Sequence, residues 1–226
     1  SLRRFSIFIC LQALLFASII DPISVALIRI SFEEDSTNST TGNGQFLLTN
    51  EGIDCGSYTI DPPPHDYNYF LSQLHSVNQY FENVSYGKFG IDITQSSIYP
   101  SSLNGNYQLS NTMDFYNPYD DPLGQEEKLT KLFKDAIEQS YSEDAIEFSQ
   151  YDLVVIFHAG IGQDFSLPFL DPTPEDIPST YIDEDMIQEH LGQSHINVGN
   201  HTIQKGIILP ETQNHLLYDI SETMFS

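Results

Sequence analysis

Residues 151–165 read YDLVVIFHAGIGQDF, in which Leu153, Val154, Val155, Ile156 and Phe157 follow one another without a polar interruption. A strand with one solvated face alternates apolar and polar side chains, whereas an unbroken β-branched run belongs to a strand buried on both faces. The run predicts a central strand over 152–158, covered on both sides by the helices that precede it. Gly160 and Gly162 then permit a sharp exit from the strand.

Upstream of that strand, residues 24–32 (SVALIRISF) are β-branched-rich and read as the first strand. Residues 33–50 turn acidic and then rich in Ser, Thr, Gly and Asn, the composition of a solvated loop. Pro62, Pro63 and Pro64 form a stiff entry to a helix, where a missing N–H costs nothing. From 65 to 83 the apolar residues Tyr67, Phe70, Leu71, Leu74, Val77 and Phe81 make one helical stripe. Residues 85–88 break that helix. Phe89, Ile91 and Ile93 alternate with Gly90 and Asp92 as in a half-buried strand. Short strands are expected around Ile98 and over 107–109. A second helix is expected over 125–141, with the stripe Leu129, Leu132, Phe133, Ala136 and Ile137.

Downstream, residues 164–180 are proline-rich and acidic, 183–191 suit a short helix, and 196–198 with 202–209 resemble a hairpin around Gly199-Asn200. The order strand, helix, strands, helix, strand defines an α/β (α+β) arrangement: a mixed twisted sheet with at least two packing helices.

Asp and Glu outnumber Lys and Arg by 32 to 8, for a net charge of −24. Such a surface repels phosphate backbones and excludes nucleic acid as a partner. A hydrophobic content of 40% is enough for a core, so the chain is expected to fold as one domain behind a leader. That leader is residues 1–20: Arg3 and Arg4 precede the apolar run 5–20, the pattern of a signal peptide or N-terminal anchor. Export follows, to the periplasm or the extracellular space, with membrane attachment only through the leader. The rest, 21–226, ends without a glycine, proline or polar tail, which reads as the N-terminal portion of a longer domain.

Chemistry is sparse. Cys10 lies in the leader and leaves Cys55 as a lone thiol, so neither a disulfide nor a cysteine zinc site is expected. No HExxH string occurs. His190 and His195 stand at i and i+5, about 140° apart on a helix, a poor ligand pair beside which surface histidines are the plainer reading. His158 followed by Gly160 and Gly162 suggests a turn, or a buried core histidine, before it suggests a phosphate loop. The carboxylates Asp120-Asp121, Asp164, Asp171, Glu175-Asp176 and Asp183-Glu184-Asp185 lack EF-hand spacing. Each reads as a solvated acidic face, with calcium the hard cation such groups would take. No GxSxG elbow is present, and there is no tryptophan to stack a sugar. Asn38, Asn83 and Asn200 head glycosylation sequons, meaningful in a eukaryotic secretory route.

Residues 79–93, QYFENVSYGKFGIDI, resemble a segment of secreted zinc metalloproteases of the immune inhibitor A type, in which a helix meets Ser-Tyr-Gly-Lys and then a strand. ALIRISF (26–32), TTGNGQF (40–46), DPPPH (61–65), FSQYDLVVIFHAGIGQDF (148–165), DPTPEDIPS (171–179) and KGIILPET (205–212) are similar to the bacterial secreted branch of that family. The resemblance implies a zincin-like sheet whose edge strand aligns a peptide substrate, with the catalytic helix and its zinc ligands coming later in the chain. No catalytic, cofactor-binding or metal residue can be carried onto positions 1–226. Zinc is expected only with a continuation that bears the ligands, and part of this branch looks degenerate at the zinc motif. The expectation is a scaffold and substrate-cleft part of an exported metallopeptidase-like protein, not catalytic by itself. The alternatives are a non-catalytic secreted binding module using an exposed sheet edge near 205–209, and a calcium-stabilised adhesion domain.

Overall fold

The computed structural model describes residues 22–49, 61–119, 121, 124–164, 171 and 173–212. Strand β1 (Val25–Ser31) is buried along its whole length. Helix α1 (Tyr67–Val84) follows, then the short strands β2 (Ser97–Tyr99) and β3 (Tyr107–Gln108), the single-turn helix α2 (Met113–Tyr116) and helix α3 (Gln125–Asp144). Strand β4 (Leu153–Ile161) is succeeded by β5 (Thr180–Ile182), helix α4 (Glu184–Leu191), the hairpin strands β6 (Ile196–Val198) and β7 (His201–Ile203), and β8 (Gly206–Thr212). The leader 1–20, Cys55 and most of 164–170 lie outside the described residues.

The main sheet runs β2-β1-β4-β8-β5, with β3 joining β1 beyond the end of β2. β1 is parallel to β2, β3 and β4, and β4 is parallel to β8; β5 alone runs antiparallel, along β8. The fold is therefore α/β with a mixed sheet. β4 sits at its centre, as its unbroken apolar run predicts. Period-two alternation sorts its side chains to two cores. Ile28, Ile30, Val154, Ile156 and Ile208 face α3 and join Leu129, Leu132, Phe133, Ala136 and Ile137. Val25, Leu27, Leu153, Val155, Phe157, Ile207 and Leu209 face the other way, toward Phe70 and Leu74 of α1.

Local chemistry places the helix ends. The Asp66 carboxylate accepts from the Asn68 and Tyr69 N–H groups at 2.8 and 3.1 Å, capping α1. Asp183 does the same for α4 through Met186 N at 3.0 Å, and Gly192 at φ +70° ends that helix.

Four expectations need correction. β4 does not stop at His158; it continues to Ile161 across a bulge, and Gly160 at φ +93° absorbs the irregularity. The alternation at Phe89–Ile93 yields only a single bridge, Ile91 to Ile23, because Asp92 accepts from Thr94 and Gln95 and folds a turn there. Residues 202–209 do not form one hairpin arm: β7 pairs β6, and β8 leaves to become an inner strand between β4 and β5. The exposed edge is therefore not at 205–209, since β5 covers Gly206–Ile208.

Candidate functional site

Among the described residues, the α1 face of the sheet is only half covered. Phe70 and Leu74 of the predicted stripe are buried, whereas Val77 is 42% and Phe81 36% exposed. The stripe outruns its partner. Between it and the sheet lies an apolar groove of about 460 Å³, floored by Leu27, Val155, Phe157, Ile207 and Leu209 and walled by Val77 and Phe81. Unburied apolar area of this kind is a liability of roughly 25 cal/mol per Å² unless something covers it.

One end of the groove is polar. There Asp61, Tyr69, Gln73, Glu211 and Thr212 meet. Glu211, next to last in β8, is 2% exposed and fully engaged. Its Oε1 accepts from Leu47 N at 2.7 Å and lies 2.6 Å from His65 Nδ1; its Oε2 accepts from Gly160 N at 2.9 Å. Three segments far apart in the chain thus converge on one carboxylate. His65 Nε2 lies 3.1 Å from the Asp61 carbonyl, and the ring stacks on Tyr69 with centroids 4.2 Å apart. Burial works to depress the His65 pKa, but the Glu211 hydrogen bond and charge outweigh it and the net shift is upward. The Tyr69 hydroxyl lies 2.6 Å from Asp61 Oδ2 and 2.9 Å from the Glu211 carbonyl, and its single hydrogen serves one of them at a time. Burial, then the Asp61 hydrogen bond, drives its pKa upward.

This network can hold protons but is poorly placed to move them onto a substrate. A general base must reach the proton it takes, and both oxygens of Glu211 and both nitrogens of His65 already have partners within the fold. It works as a latch tying β8, the β4 bulge, the loop after β1 and the entry to α1.

The residues singled out in the sequence fall elsewhere. His158 is fully buried on the α3 face, beside Phe32, and burial lowers its pKa to about 4. It is a neutral core histidine. His190 approaches Glu126 at 3.6 Å while His195 bonds Ser194 at 3.0 Å, so the two do not act as a pair. Asp176 is buried and accepts from Thr41 N and Oγ1, both at 2.6 Å; burial raises its pKa to about 6 against the effect of those bonds. Asp183 is a helix cap, and Asp171 accepts from Gln163 and Thr173. Among the described residues no three His, Cys, Asp or Glu side chains converge to hold a metal ion, so those residues offer no fit to zinc. The sequon residues Asn38, Asn83 and Asn200 are all exposed. Sequence reasoning passed over Glu211 and its partners; an acid closing the apolar run GIILPET was the one signal available.

The described residues form an α/β fold whose mixed sheet carries an apolar groove on the α1 face, latched at one end. No protein-family model matches the chain, and no curated protein matches it. No helix among the described residues is long and apolar enough to cross a membrane.

Proposed function

We propose that this chain is the scaffold and substrate-cleft part of an exported, metallopeptidase-like protein, and that it does not hydrolyse peptides by itself. The observation that carries this reading is the sheet's composition: parallel strands bordered by one antiparallel strand, β5, at the edge beside β8. A short outer strand of that kind can receive an extended peptide by strand addition, with main-chain hydrogen bonds supplying affinity. The basic-apolar leader supports export.

Sequencing the gene past the codon for Ser226 tests the proposal. An HExxH string within the next few dozen residues, with zinc in the full product, supports it. The 226-residue chain alone is expected to leave casein intact with or without zinc, and zinc-dependent cleavage by it would refute this assignment.

A second reading is a secreted binding module that keeps the edge and has no catalysis. Tyr181, 53% exposed on β5, favours it. A continuation lacking zinc ligands, together with binding of an extended peptide by this chain, would select this alternative.

A further inference from the structure

We propose that two copies of this chain associate through the exposed end of α1, residues 77–84, and the turn that follows it, about a two-fold axis that sets Glu82 of each copy opposite Lys88 of the other. The inference is independent of the peptidase reading, because it rests on one end of one helix and on the charge around it.

The apolar stripe of α1 runs Phe70, Leu74, Val77, Phe81, Val84, at alternating steps of four and three residues, the spacing at which one helix packs along another. Of these, Phe70 and Leu74 are buried. Beyond them the helix carries its apolar side chains past the cover of the sheet. Val77 and Phe81 are partly exposed, and Val84 is 53% and Tyr80 61% exposed among the described residues. Tyr86, in the turn beyond, is 92% exposed, and its φ of +56° holds a bulky residue in the left-handed region. Single exposed apolar residues are ordinary. Here Val77, Tyr80, Phe81 and Val84 stand at i, i+3, i+4 and i+7 on one helical face, with Tyr86 beside them, and such a contiguous patch marks an interaction surface.

Charge identifies the occupant. The chain carries −24, so two copies repel wherever their acidic surfaces meet. Between Asp66 and Asp92, however, the only carboxylate is Glu82 and the only Lys or Arg is Lys88, both exposed. That stretch is neutral when His75 is uncharged, so a second copy can approach the patch against little repulsion. A basic partner would be drawn to the acidic remainder of the surface instead. An isologous contact also needs a face complementary to itself. Glu82 and Lys88 bracket Val84 and Tyr86 in the sequence. A two-fold axis passing midway between the two charges sets each acid against the other copy's lysine and brings the apolar residues between them together. The patch is small, so the contact is a weak, concentration-dependent one rather than a permanent dimer.

The test is analytical ultracentrifugation of the full chain under reducing conditions, from low micromolar to several hundred micromolar concentration. A monomer–dimer equilibrium is expected. Tyr80→Ser with Val84→Ser, at exposed positions that the fold does not need, should weaken it at least about tenfold. Glu82→Lys and Lys88→Glu should each weaken it by setting like charges together, and the two combined should restore it, a recovery that damage to the monomer would not produce. A monomer at every concentration overturns the proposal; if that monomer floats with neutral phosphatidylcholine vesicles, the face belongs to a lipid surface instead. Association that survives the serine pair, or that fails to recover in the double charge swap, also overturns it. So does a dimer lost on Tyr181→Ser but kept in the serine pair, which would place the contact at the β5 edge.

Discussion

His65 Nδ1 lies 2.6 Å from Glu211 Oε1, and neither side chain is exposed to solvent. The two residues are 146 positions apart, so their contact closes most of the described fold into one loop. Glu211→Gln tests its worth. Glu211 accepts from donors on both oxygens, and a glutamine must turn its NH2 toward at least one N–H already pointing at it. Breaking a buried pair by removing one charge costs about 3–5 kcal/mol. Chemical denaturation at pH 6 should therefore show a loss on the order of 3 kcal/mol, and a loss below about 1 kcal/mol would mean the latch is dispensable.

The same pair has a pH signature. A histidine whose folded pKa is raised contributes stability that is complete below its ordinary value of about 6.5 and fades as pH rises through the folded value. Wild-type stability should carry a decline on the alkaline side of pH 6.5 that Glu211→Gln removes. Parallel wild-type and variant curves between pH 6 and 9 would place His65 outside the coupling.

Two buried groups on or near the α3 face oppose each other in acid. His158, lowered to about 4, leaves the unfolded chain holding more protons between pH 4 and 6.5, so stability falls as pH drops through that window. Asp176, raised to about 6 from 3.8, leaves the folded chain holding more protons between those values, so stability rises as pH drops. Each contribution is on the order of 3 kcal/mol at full extent, and they largely cancel. Asp176→Asn should steepen the loss of stability between pH 6 and 4, and His158→Gln should flatten or invert it. Urea melts at three pH values read this directly; the same slope in both variants would contradict the opposition.

How much of this was legible beforehand differs by element. The β4 run and the α3 stripe were readable because burial on two faces, or on one helical face, writes itself into local periodicity. β5 was not: three residues after a proline-rich acidic stretch carry no pattern, and the strand exists only because β8 offers an edge. Reading 202–209 as one arm failed because the apolar residues of β7 and β8 run on with only Gln204 and Lys205 between them, and nothing local marks that β7 pairs β6 while β8 pairs β4 and β5. The latch was invisible for another reason. His65 and Glu211 are ordinary residues in their own neighbourhoods, and their pairing is created by parallel strands joined through long crossovers.

Gly206 supplies the last prediction. It opens β8 opposite Val154, under the ring of Phe133 from α3. A Cβ built there would sit closer than 3.0 Å to Cε2 and Cζ of Phe133 and to the Val154 carbonyl oxygen. The backbone oxygen cannot retreat without breaking the sheet, and Phe133 is fully buried in the α3 core. Gly206→Ala should cost at least the 1–3 kcal/mol typical of overpacking. Phe133→Leu alone should also destabilise, by opening a void. Because Leu vacates part of the space the methyl needs, the double variant should lose less than the two single losses combined, by roughly 0.5–2 kcal/mol in a double-mutant cycle. Strict additivity would mean that the Val154 carbonyl, not the ring, sets the cost, and that the close approach of α3 to β8 is not what requires glycine here.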